Sequence, residues 1–161
     1  MSQRLIHEFK LSGSTAVGKA LAESLAEALA QLYSDDARAI VLVPAPSRRS
    51  ATRLRGFAPA ELLASLVARR ARSLGVPVRV VPAVRFRLAV RDQSMLSKAE
   101  RAENVAGSMQ LIERRKELLA NASVLLFDDI VTTGATLGEL RHCLLAAGIQ
   151  PSGFLCFAET L

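Results

Sequence analysis

The sequence has no tryptophan, one tyrosine and six phenylalanines, so aromatics make up only 4% of its 161 residues. A stacking platform for single-stranded nucleic acid is therefore poorly supplied. Cysteine is almost as scarce, with Cys143 in a helical stripe and Cys156 in a strand-like run. Such positions suit reduced core residues better than a disulfide or a metal site, and a cytoplasmic setting is expected. Only two histidines occur, His7 and His142, and both read as peripheral or structural, so no obvious general base stands out. No apolar run approaches the ~18 residues of a membrane span. The polar start, with Arg4, His7, Glu8 and Lys10, lacks a signal-peptide core, so no membrane partner is expected.

What is present is apolar bulk and positive charge. Half the residues are apolar, which excludes a disordered chain, and residues 1–161 are expected to form one domain. The net charge is +6, with arginines grouped at Arg48, Arg49, Arg53 and Arg55, at Arg69, Arg70 and Arg72, and at Arg85, Arg87 and Arg91. Such clusters are either solvated faces or attractors of polyanions, whether a pyrophosphate or nucleic acid.

Hydrophobic spacing predicts helices over Ser14–Tyr33 and Pro59–Leu74 and a short one over Glu113–Leu119. Strands are expected at Ala39–Pro44, Val76–Pro82, Val124–Phe127 and Gly153–Ala158, with a further helix from Gly134 to Ala147. Strands alternating with helices give an α/β fold with a mainly parallel sheet, whose ligands gather at the carboxyl ends of the strands. The stretch from about Ala83 to Gly107 is long, polar and mixed, with a helical fragment at Ser97–Glu103, and reads as a functional lid.

The segment Val124–Leu137, V-L-L-F-D-D-I-V-T-T-G-A-T-L, carries most of the functional information. A buried-strand signature is followed by Asp128 and Asp129, a loop of small and hydroxyl residues, and an apolar helical stripe. A loop before a helix offers backbone N–H groups at the positive end of the helix dipole, which favours an oxyanion. Two carboxylates just upstream cannot bind that anion and suit hydroxyls or a metal on the same ligand. A ligand with both a phosphate and a diol is a sugar phosphate. By contrast, G-S-T-A-V-G-K (Gly13–Lys19) matches only seven positions of a nucleotide-binding P-loop. Ala20 stands where the Mg²⁺-binding hydroxyl belongs, and no strand precedes it.

The Asp-pair segment resembles the signature of type I phosphoribosyltransferases, which bind 5-phosphoribosyl-1-pyrophosphate (PRPP). Further segments resemble the ComF family of competence proteins: V-P-A-P-S-R-R (Val43–Arg49), R-L-R-G-F (Arg53–Phe57) with A-E-L-L-A (Ala60–Ala64), and Q-S-M-L-S-K-A-E-R-A-E-N-V (Gln93–Val105). The resemblance implies a type I phosphoribosyltransferase fold, a mainly parallel twisted sheet flanked by helices. It implies that Asp128 and Asp129 bind the ribose hydroxyls as the catalytic pair. Thr132, Thr133, Gly134, Ala135 and Thr136 would hold the 5′-phosphate. Ser47 and Arg48 would meet the pyrophosphate, with Arg49 less well placed, and Arg101 and Asn104 would close over the centre from a flexible loop at about 83–107. Mg²⁺ would be held mainly by the pyrophosphate rather than by the protein. A nitrogenous acceptor of unknown identity would attack C1 and release pyrophosphate.

Two departures stand out. Ala58 replaces the asparagine common after Gly-Phe, and the cysteine-rich zinc module of many ComF proteins is missing, so no zinc is expected. The family also supplies an alternative, a non-catalytic accessory protein in DNA uptake or recombination that binds single-stranded DNA or recombination proteins. A homodimer is a further expected assembly.

Overall fold

Strand β1 (Ile40–Pro44) is five apolar residues in a row, and all five are buried in the computed structural model, which describes residues 2–33, 38–87 and 107–159. A parallel strand covered on both faces needs no polar alternation. It pairs in parallel with β2 (Val78–Val80) on one side and β5 (Ser123–Val131) on the other, and β5 pairs in parallel with β6 (Gly153–Glu159). The sheet order is β2-β1-β5-β6. The expected α/β architecture with a parallel sheet is observed.

Alternation along the strands divides the core in two. Ile40, Leu42 and Phe127 face one layer, built from α2 (Thr15–Leu32) and α4 (Pro59–Ser73) with α1 (Ser2–Ser12) packed against them. Val41, Val43, Val124 and Leu126 face the other, where α5 (Ala135–Ala146) buries Leu137, Leu140 and Leu144. Each such side chain contributes about 1.5–3 kcal/mol by leaving water.

The P-loop look-alike is packing, not chemistry. Ser14 caps α2 by accepting the Val17 N–H at 3.5 Å. Gly18 lies inside that helix, where a Cβ would meet Phe9 and Leu66 at 2.7 Å.

Several elements differ from expectation. The stretch taken as a lid begins with β3 (Val84–Phe86), which pairs antiparallel with β4 (Met109–Leu111) to make a separate ribbon. Residues 88–106, with the expected Ser97–Glu103 helix, Arg101 and Asn104, lie outside the described residues. Glu113–Leu119 is a 3₁₀ helix. Strand β5 does not stop before the Asp pair but runs through it to Val131. The physical reason is unequal neighbours: β1 ends at Pro44, opposite Phe127, while β6 continues and pairs Asp128 with Cys156 and Ile130 with Ala158. Helices α1 and α3 (Arg49–Arg55) had no legible signal. None of the described residues forms a helix long and apolar enough to cross a membrane.

Candidate active site

Where β1 stops and β5 goes on, the sheet edge opens into a cleft of about 890 Å³. Its floor is the end of β5 and the loop after it, with Asp128, Asp129, Ile130, Thr132 and Thr136. One side is the Ala45–Ser47 loop that follows β1. Facing these are His7, Glu8, Lys10 and Leu11 from α1, then Arg55 from α3 and Pro59 and Ala60 from α4.

The two aspartates are adjacent but unlike. Asp129 is only 4% exposed, and its Oδ1 lies 2.9 Å from Lys10 Nζ and accepts the Ile130 N–H at 2.8 Å. Asp128 Oδ1 accepts the Asp129 N–H at 2.9 Å. Burial first, and the charge of Asp129 second, push the Asp128 carboxyl up to about 7, with the Asp129 amide and Lys10 pulling the other way. Asp128 therefore titrates near neutrality, which is unusual for a carboxylate and frequent at functional sites.

Beyond β5, Gly134 adopts φ 72°, a left-handed conformation that costs a glycine little, and leads into α5. No side chain caps this helix, although Thr133 Oγ1 accepts the Ala135 N–H weakly at 3.4 Å. An uncapped helix start beside Thr132 and Thr136 suits an anion such as a phosphate.

The structure thus brings Asp128, Asp129, Thr132, Thr136 and Ser47 to one cleft, with Thr133 and Gly134 in the connecting turn and Ala135 opening α5. Arg48 is placed differently. Its guanidinium sits 5.5 Å from the centre of the Phe86 ring, on the ribbon side, and it is not part of the cleft lining. Arg49 lines a smaller neighbouring cavity of about 250 Å³. The cations that do line the main cleft are Lys10 and Arg55.

Sequence reading missed Lys10, Glu8 and His7 as cleft residues because α1 was not recognised. Phe57 packs edge-on against Phe9, with ring centres 6.2 Å apart, and a Cβ on Gly13 would meet its ring at 2.9 Å. That aromatic pair pins α1 over the site, so Phe57 acts through packing and needs no ligand contact.

Asp128 and Asp129 form the acidic part of the cleft, and among the described residues no group of three or more acidic, histidine or cysteine side chains could hold a metal ion. The donor set fits a divalent cation that brings most of its own oxygen ligands.

No family model matches the chain. The chain is similar to the competence protein ComFC of Bacillus subtilis strain 168, with 28% identity over 148 residues, covering 92% of this chain and 55% of ComFC. It therefore spans about half the length of that relative. This likeness agrees with the ComF-like segments and extends over nearly the whole sequence. Among solved structures, the hypoxanthine-guanine phosphoribosyltransferase of L. donovani aligns with a TM-score of 0.49 and 17% identity over 89% of this chain and 70% of its own. The hypoxanthine phosphoribosyltransferase of Trypanosoma cruzi, solved with its product IMP, aligns with a TM-score of 0.49 and 14% identity over 90% and 74%.

Proposed function

We propose that this chain is a ComF-like, PRPP-binding protein of the phosphoribosyltransferase type, and that it transfers the phosphoribosyl group to a nitrogenous acceptor. The reading is carried by one observation: the Asp pair, the uncapped Thr132–Thr136 turn and Ser47 line or border the same cleft. The similarity to ComFC supports it. The Asp pair meets the ribose hydroxyls, the turn and the start of α5 take the 5′-phosphate, and Ser47 meets the pyrophosphate. Mg²⁺ would be held mainly by the pyrophosphate oxygens rather than by protein side chains, and would supply charge neutralisation to the leaving group.

In the transfer step the acceptor nitrogen forms a bond to C1. The bond from C1 to the pyrophosphate oxygen breaks, that oxygen keeps the electron pair, and the surplus proton on nitrogen passes to water. Positive charge develops on the ribose in the transition state, and the carboxylates beneath it stabilise that charge.

Calorimetric titration with PRPP and Mg²⁺ tests this reading. Binding by the wild type that disappears in Asp128→Asn/Asp129→Asn is the expected result, and no binding by the wild type would overturn it. A second reading, a non-catalytic accessory role in DNA uptake or recombination, is favoured by the net charge of +6. It requires an affinity for single-stranded DNA that falls steeply with salt, and a flat or absent response removes it.

A further inference from the structure

A departing pyrophosphate calls for a cation, and the stretch after β1 holds four candidates, Arg48, Arg49, Arg53 and Arg55. The structure sends them to different places. The Arg48 guanidinium lies over the Phe86 ring, and Arg49 lines the cavity of about 250 Å³ that shares the Ala45–Ser47 loop with the main cleft. Arg53 is exposed and lines neither of the two. Of the four, Arg55 alone lines the main cleft, together with Ser47 and the acid pair.

Its backbone is held in place although α3 buries none of its own residues. Gly56 turns the chain at φ 80°, and its N–H donates to the Thr52 carbonyl at 2.8 Å. Phe57 then packs on Phe9 and close to Gly13, and Pro59 opens α4. The side chain, by contrast, is exposed. Among the described residues no hydrogen bond or ion pair engages the Arg55 guanidinium. The other cation of the cleft, Lys10, is already 2.9 Å from Asp129 Oδ1. Besides the acid pair, the remaining ionisable groups of the lining are His7 and Glu8 on α1.

We propose that Arg55 is the leaving-group cation of this cleft, donating to the pyrophosphate from α3 while Ser47 meets it from the loop after β1. The assignment rests on the PRPP reading for the whole substrate. As the bond to C1 breaks, the pyrophosphate oxygen keeps the electron pair and negative charge on that group grows. A guanidinium beside it therefore gains more in the transition state than before it. Its planar fork of donors also suits two phosphate oxygens at once, which a point charge does not match.

The experiment measures calorimetric affinities for pyrophosphate, ribose 5-phosphate and PRPP, each with Mg²⁺, in wild type, Arg55→Ala, Arg55→Lys and Arg48→Ala. Arg55→Ala is expected to weaken pyrophosphate and PRPP by about tenfold and to leave ribose 5-phosphate within about twofold. Arg55→Lys keeps the charge without the fork and should stay within about threefold of wild type. Arg48→Ala should also stay within about threefold for every ligand. The melting temperature of Arg55→Ala should match wild type within about 2 °C, because the side chain is exposed. The proposal falls if Arg55→Ala leaves pyrophosphate binding unchanged, if ribose 5-phosphate is weakened as much, or if Arg48→Ala carries the larger loss. If the wild type binds pyrophosphate but not PRPP, the PRPP reading fails by itself and the pyrophosphate series still decides Arg55. Binding of neither ligand overturns both.

Discussion

Two clefts of this molecule have almost the same volume, about 890 Å³ at the end of β5 and about 850 Å³ between the β3–β4 ribbon and α5. The second is the more basic, lined by Arg85, Arg87 and Arg114. Two of these arginines, however, are used in holding the ribbon together. Arg87 Nε donates to the Met109 carbonyl at 3.3 Å. With the Gln110 amide turned to suit its neighbours, its oxygen accepts from Arg85 Nε and Nη2 at 2.8 and 2.9 Å. The first cleft instead collects groups that local structure leaves ready for a ligand: a carboxyl that titrates near neutrality and a helix start without a cap. Size and charge sign do not separate a site from a seam; what separates them is whether polar groups converge with hydrogen-bonding capacity to spare.

The sharpest way to break this contrast is to remove the decisive group from each side. Asp128→Asn is expected to weaken PRPP binding by about 100-fold, near the ~3 kcal/mol cost of losing charge-assisted hydrogen bonds to two hydroxyls. Arg85→Ala/Arg114→Ala should change it by less than about threefold, since screened charges at a distance contribute little. Comparable losses in the two calorimetric series would erase the distinction.

A smaller effect follows from the raised Asp128 carboxyl. Ribose hydroxyls donate best to its charged form, so PRPP affinity should rise by about tenfold from pH 6 to 8 and level off above the titration point. Stability runs the other way. The folded state holds a proton at Asp128 up to about 7, while the unfolded carboxyl releases it near 3.8. The folded state thus binds more protons between these values, and stability falls as pH rises through that window. Asp128→Asn should flatten both profiles and raise the melting temperature at pH 8 by about 5 °C or more, with the gain shrinking toward pH 4. Parallel melting curves for variant and wild type across that range would contradict the assignment.

The smallest effect concerns the turn. Thr132→Val/Thr136→Val should weaken binding of ribose 5-phosphate by about threefold to tenfold, the worth of one or two neutral hydrogen bonds. Binding of free pyrophosphate should be unchanged, and an equal loss for both ligands would place the phosphate elsewhere.

Much of this site was legible in the sequence because its signal is local. Strand, acid pair, small-residue turn and helix follow one another within Val124–Leu137, and the helices around Ser14–Tyr33 and Pro59–Leu74 have strong apolar stripes. What could not be read is what depends on distant partners. The extension of β5 through Asp128 and Asp129 needs β6 beside it, and aspartate has little strand preference of its own. The β3 and β4 strands have three residues each, too short for a period to emerge. Helix α1 buries Ile6 and Phe9 but few other side chains, so its stripe is thin and the meeting of Lys10 with Asp129, 119 positions later in the sequence, went unseen. The approach of the Arg48 guanidinium to the ring of Phe86, 38 positions later, is likewise a long-range contact that no local pattern announces.

The carboxylates at the end of β5 also stand in for a missing strand. Pro44 closes β1, and past that point Asp128 and Asp129 each accept the amide of the residue that follows. Under the proposed function an aspartate here has two jobs, one toward the ligand and one in satisfying an amide at a strand end. A relative without sugar-phosphate chemistry would still gain from keeping both acids. The Thr132–Thr136 turn has no such second employment of comparable weight. In tracing lineages that retained the chemistry, drift in the turn is the more telling marker, and an intact acid pair beside a degraded turn would identify a fold kept after its reaction was lost.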